Sequence, residues 1–250
     1  MSPPDDGRRV FVITPGRTGS SLLAAILSDA GADFGPVGAD AWDPARGAFE
    51  HPLAGRVVAR FDHMNALGHR EPHGPLAAAR WRAVRHRAKA GLRRVLGEAR
   101  CLKGHLETVV HWAARLGYRP TVIVSYRPFN EVLQTLGHMH PQPPHAHAAD
   151  YDTTLRDALS LASTYGGCAV DYHEVMDPAE TAWADALAAA LDLDRDAVLA
   201  ARANRVRHDT APEGSAPTPF PSCRTTYDTL RRYKGLHLPP ARATRRAFGD

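Results

Sequence analysis

Lysine and cysteine are the scarce residues of this chain. Only Lys89, Lys103 and Lys234 occur among 31 lysine and arginine side chains, and only Cys101, Cys168 and Cys223 among 250 residues. An odd number of widely spaced cysteines fits neither a disulfide framework nor a paired metal-binding motif. No apolar run approaches the roughly eighteen residues of a membrane span. The opening Met1-Ser-Pro-Pro-Asp-Asp-Gly lacks the basic-then-apolar order of a secretory signal. A reduced, cytoplasmic protein without a membrane partner is therefore expected. Aromatic residues are sparse at 7% and scattered, so no stacking stripe for single-stranded nucleic acid is visible. The remaining composition, 44% hydrophobic and 23% charged, is that of a globular chain able to bury one large core.

The net charge of +4 favours anionic partners in general. Arginine supplies almost all of the positive charge, so each retained lysine marks a place where a compact point charge can matter. The scarcity makes Lys103 worth following.

The order of elements predicts an α/β fold, a three-layer P-loop-like parallel sheet with helices on both faces. The apolar, β-branched run Val10–Thr14 reads as a buried strand. A glycine loop follows, then a helix over 22–30 closed by Gly31. Residues 35–55 are rich in Gly, Pro and Asp, 56–68 read as helix, and 76–99 as a long basic helix. Strands are expected at 100–104, 121–126 and 169–175, with helices over 107–116, 129–138, 152–165 and 178–190. Residues 139–149, broken by prolines, read as a loop. A single domain is expected over 1–250, with a disordered start at 1–8 and an unassigned C-terminal segment at 204–250.

Ligands of such sheets bind beyond the carboxyl ends of the strands. Thr14-Pro-Gly-Arg-Thr-Gly-Ser-Ser21 sits where a phosphate-binding loop belongs. Backbone N–H groups at a helix start attract anions. Gly16 and Gly19 permit close approach, and Arg17, Thr18, Ser20 and Ser21 add side-chain donors. The alternative is an ordinary strand-to-helix turn capped by a serine. The GxxxxGK[ST] pattern and a magnesium-holding aspartate are both missing, which disfavours ATP or GTP hydrolysis and a metal. Lys103 and His105 lie two apart after the second strand, on one side if that strand persists. Arg127 ends the third strand and Thr135 lies two turns along the next helix, an arrangement suited to a phosphate fork. The bland reading of that pair is an Arg127–Glu131 surface ion pair and an ordinary helix threonine.

In this order the loops resemble the sulfotransferases that use 3′-phosphoadenosine 5′-phosphosulfate, in particular the bacterial branch. Pro15–Ser21 is similar to the family's 5′-phosphosulfate loop, Lys103-Gly-His105 to its K-x-H segment, and Arg127 with Thr135 to its 3′-phosphate pair. Asp171–Pro178 resembles the stretch leading to a following helix, and Tyr233-Lys-Gly235 is faintly similar to a further 3′-phosphate element. Asp43–His51 resembles a segment whose glutamate, here Glu50, serves the acceptor. Departures are Arg17 in place of a common lysine, Gly104 of a threonine and Thr135 of a serine.

The resemblance implies metal-independent, in-line transfer of a sulfuryl group from that donor to a hydroxyl or amine of a small-molecule acceptor, leaving adenosine 3′,5′-bisphosphate. Arg17 and Lys103 would stabilise charge on the breaking bond. His105 is the preferred general base and Glu50 its competitor. Residues 35–75, 138–150 and 208–225 are expected to shape the acceptor pocket. Two other readings stay open, an ATP-dependent P-loop phosphotransferase and a non-catalytic nucleotide- or nucleic-acid-binding protein. The arginine-rich helix 76–99 could serve the latter, but its apolar stripe reads rather as an amphipathic face or a lid. His138, His140, His145 and His147 are read as part of a mobile acceptor-side loop rather than a metal site.

Overall fold

A computed structural model describes residues 6–37, 49–68, 74–137, 143–206 and 218–241. Four parallel strands form one sheet in the order β2-β1-β3-β4. They are β1 (Arg8–Ile13), β2 (Cys101–Gly104), β3 (Arg119–Tyr126) and β4 (Gly167–Asp171). Ten helices accompany them among the described residues: α1 (Ser20–Asp29), α2 (Ala54–Gly68), α3 (Pro75–Glu98), α4 (Glu107–Arg115), α5 (Phe129–Gly137), α6 (Pro144–Tyr165), α7 (Tyr172–Met176), α8 (Ala182–Leu191), α9 (Arg195–Arg205) and α10 (Pro221–Arg231).

The period-2 alternation of each strand assigns its side chains to two cores. Phe11, Ile13, Leu102, Val122, Val124, Tyr126 and Ala169 face one way, against α2, α3, α4, α6 and α10. Val10, Val12, Cys101, Ile123, Cys168 and Val170 face the other way, against α1, α8 and α9. Both faces are covered, as the apolar strands require. Lys103 shares the parity of Cys101, so it lies on the α1 side of β2. The chain leaves β1 for β2 on one side and returns to β3 on the other. That topological switch places the loops after β1, β2 and β3 around one crevice.

Three boundaries differ by four residues or more from the sequence expectation. The fourth strand ends at Asp171 rather than 175, because Asp171 caps α7: its Oδ1 accepts the His173 N–H, and Glu174 Oε2 accepts the Asp171 N–H. The expected loop at 139–149 is helical from Pro144 onward, proline being well suited to a first helical turn; residues 138–142 lie outside the described residues. The helix expected from 178 begins at Ala182. Residues 6–8, within the start expected to be disordered, lie among the described residues. Asp6 pairs with Arg8, Arg100 and Arg119, and β1 begins at Arg8. The unassigned C-terminal segment contributes α10 and two isolated bridges to β4, Gly167 with Leu238 and Ala169 with Lys234.

One position in this frame carries a pH-dependent strain. Glu107 opens α4, and its buried Oε1 has no hydrogen-bond partner. Burial pushes its carboxyl up to about 7, with Asp157 and Asp62 adding to the rise and its own backbone N–H opposing it. The folded value exceeds the unfolded one, so this group's stabilisation is complete below the ordinary glutamate range and is lost as pH rises through 7. Glu107→Gln should match the wild type near pH 4 and exceed it by about 1–3 kcal/mol at pH 8. Urea unfolding at the two pH values checks this, and equal stability at pH 8 would refute it.

Candidate functional site

The loop after β1 is shaped by its own hydroxyls. Thr14 Oγ1 accepts the Gly16 N–H at 3.1 Å and lies 2.6 Å from Thr18 Oγ1, which is 3.1 Å from Ser125 Oγ on β3. Gly16, Arg17 and Gly19 all adopt left-handed backbone, at φ 86, 57 and 78. Such turns direct successive N–H groups into a concavity. The N-cap position of α1, Gly19, has no side-chain capping bond, and the first helical bond is donated by Leu23 N–H to the Gly19 carbonyl. The N–H groups of Ser20, Ser21 and Leu22 therefore precede the intrahelical ladder and form the positive end of the helix.

The structure places Thr18 differently from the sequence expectation. It is almost fully buried, and its hydroxyl bonds beneath the loop to Thr14 and Ser125. Its part is to shape the loop. Ser20 is also buried, whereas Ser21 meets Lys103.

Lys103 crosses from β2 to the start of α1. Its Nζ donates to Ser21 Oγ at 3.1 Å and pairs with Glu50 Oε1 at 3.2 Å. The lysine side chain is 4% exposed and the glutamate 58%. Burial lowers the Lys103 pKa, the Glu50 carboxylate opposes the fall, and the Arg17 guanidinium adds to it. Arg17 and Lys103 thus lie within electrostatic reach of each other beside the helix start. His105 follows just beyond the end of β2, with its side chain at the surface. The chain packed around its imidazole lowers its pKa, Glu50 and Asp150 oppose this, and Lys103 reinforces it. Neutral imidazole is favoured. Arg17, Ser21, Glu50, Lys103 and His105 are brought together, both candidate bases included. Residues 43–48 of the Glu50 segment lie outside the described residues.

Arg127 and Thr135, expected from the sequence to hold a second anion, meet protein partners. Arg127 Nε donates to Glu131 Oε2, and Thr135 Oγ1 donates to the Glu131 carbonyl at 3.2 Å. Glu131 Oε1 in turn meets His173 Nε2 at 2.9 Å. The Arg127 guanidinium lies over the Tyr172 ring, 4.4 Å from its centroid, and its carbonyl accepts the Tyr151 hydroxyl. The bland reading has the Arg127–Glu131 pair and the helix threonine, but the pair is largely buried rather than at the surface. Sequence reasoning named Glu131 only as the ion-pair partner of Arg127, from their i,i+4 spacing, and singled out none of Tyr151, Tyr172 and His173. Lys234 is engaged elsewhere, with Glu180 at 2.9 Å and Glu174 at 3.5 Å. His147 is buried in α6 with Nε2 unpartnered, while His138 and His140 lie outside the described residues.

Tyr172 joins the two halves, because a Cβ on Gly19 would stand 2.1 Å from its Cδ2. Gly19→Ala combines that collision with a left-handed backbone and should destabilise by about 2–3 kcal/mol. Gly16→Ala meets open space at φ 86, so only the backbone term of about 1 kcal/mol remains. Urea midpoints of the two variants check the contrast, which fails if they are equal. Comparison with protein-family models, curated proteins and solved structures finds no match for this chain.

Proposed function

We propose that the chain is a sulfotransferase, moving a sulfuryl group from 3′-phosphoadenosine 5′-phosphosulfate to a hydroxyl or amine of a small-molecule acceptor. The observation that carries this reading is the buried Lys103 ammonium on Ser21 at the open start of α1, with Arg17 in the same field. A point charge and a helix start on one anion site suit a phosphosulfate. The donor, when bound, supplies the sulfuryl group and a phosphate leaving group.

The chain's own residues divide the remaining work. The α1 N–H groups, Gly16 and Gly19 hold the anion. Lys103 and Arg17 hold positive charge where negative charge grows, which favours the transition state over the ground state. His105, favoured in its neutral form, accepts the acceptor's proton. Glu50 has an oxygen engaged by Lys103 and acts as that lysine's counter-ion. Arg127 fits a second phosphate by exchanging Glu131 for it, with His173 remaining on the carboxylate.

Thermal unfolding tests the donor site. Adenosine 3′,5′-bisphosphate at a hundred times its Kd should stabilise by about 2.7 kcal/mol, a Tm rise of roughly 5–10 °C. The rise should vanish in Lys103→Ala and Arg127→Ala. A shift with ATP and magnesium but not with the bisphosphate would assign phosphoryl transfer instead, and no shift with either would overturn the reading. For turnover, His105→Ala should lose about 10²- to 10⁴-fold, and Glu50→Gln should lose less; the reverse order would make Glu50 the base.

A further inference from the structure

Glu50 is exposed, yet its main chain is anchored on both sides. Phe49, immediately before it, has left-handed backbone at φ 53. A residue with a side chain holds that conformation where its surroundings over-determine it. The surroundings are visible: the Phe49 ring packs edge-on against buried Phe34, with centroids 5.6 Å apart.

His51, immediately after Glu50, is the second anchor. Its side chain is fully shielded from solvent. Nδ1 accepts the Leu53 N–H at 3.2 Å, which places the ring hydrogen of the neutral imidazole on Nε2. Nε2 then donates to Glu98 Oε2 at 3.1 Å. Glu98 is a well-defined acceptor, since Arg94 Nε donates to its other oxygen at 2.8 Å and holds its pKa below the ordinary glutamate value. The His51 carbonyl also accepts the N–H of Ala54, the first residue of α2. The two anchors meet behind Glu50. A Cβ on Gly35, next to Phe34, would stand 2.3 Å from the Glu98 carbonyl oxygen, so this chain segment and the end of α3 are in backbone contact.

We propose that His51 is a positioning residue, which together with Phe49 and Glu98 fixes the Glu50 main chain so that its carboxylate meets Lys103. The physical need is clear. An ion pair to an exposed, freely rotating glutamate is weak because ordering the side chain offsets the attraction. A buried ammonium left without its counter-ion is unfavourable. Fixing the Glu50 backbone removes much of the ordering cost and keeps the ammonium charged. The assignment concerns the counter-ion of Lys103, and rests on the donor-site reading above for its catalytic meaning.

The test uses the free protein, so it succeeds or fails independently of sulfuryl transfer. The three lysines are acylated at pH 8 with acetic anhydride, and peptide mass spectrometry follows each site. His51→Ala should raise Lys103 labelling about threefold or more, because loss of a nearby opposite charge favours the neutral amine. Glu50→Gln should produce the same rise, and Lys89 and Lys234 should be unchanged in both variants. His51→Gln, which keeps an N–H near the Nε2 position, should restore slow Lys103 labelling. If His51→Ala does not fold, Glu98→Ala removes the acceptor and carries the same expectation. Unchanged Lys103 labelling, an equal rise at all three lysines, or no effect of Glu50→Gln would overturn the proposal. Bisphosphate-induced stabilisation in the wild type reports separately on the donor site.

Discussion

The candidate site is organised around one buried ammonium. Lys103 projects from an edge strand of the sheet into a 4%-exposed position, where taking a charge out of water is unfavourable unless partners replace the water. The protein supplies two, Ser21 Oγ and Glu50 Oε1. Each comes from a segment that must itself be fixed: the first turn of α1, and the short connection entering α2. The glycine loop, the left-handed residues and the Phe49–His51 anchors therefore answer a common requirement. They deliver an oxygen to a lysine that cannot move far.

The other half of the crevice obeys the same rule with the signs reversed. Glu131 is the buried carboxylate there, and its oxygens are taken by Arg127 and His173. Tyr172 lies between the halves, against the Arg127 guanidinium on one side and the α-carbon of Gly19 on the other. The loop after β1 and Arg127 thus share one aromatic neighbour. The two loops are separate in sequence but joined through that ring, a useful property where one ligand has to touch both.

Much of this arrangement is legible in the sequence because it depends on local chemistry. The β-branched run at 10–13 and the glycines at 16 and 19 locate the strand, the turn and the helix start, and the rarity of lysine singles out Lys103. Failures arise where a capping interaction or a long-range partner decides. Asp171 and Glu174 form a capping box that stops the fourth strand four residues earlier than its apolar pattern suggests. Pro144 starts a helix where proline density reads as a loop. Thr18 looks like a ligand donor by position, but Ser125, distant in sequence, claims its hydroxyl. The Glu131–His173 and His51–Glu98 pairs join residues more than forty positions apart, and no local pattern announces either.

The assignment of roles within the cluster follows from who is engaged by whom. Glu50 and His105 both lie near Lys103, and either type of side chain can accept a proton. A carboxylate oxygen 3.2 Å from an ammonium already has a partner, and withdrawing it would leave that buried charge under-compensated. Proton transfer to Glu50 would weaken the pair that holds the proposed anion site together. His105 bears no such load, because its neutral form is favoured by packing and by the adjacent Lys103 charge. Protonating the imidazole places a positive charge beside Glu50 and Asp150, the carboxylates that already oppose the lowering of its pKa. In the proposed reaction, the field that tolerates an imidazolium would come from the same Glu50 that pairs with Lys103. In the proposed transfer, Glu50 would compensate both positive groups while taking no proton itself.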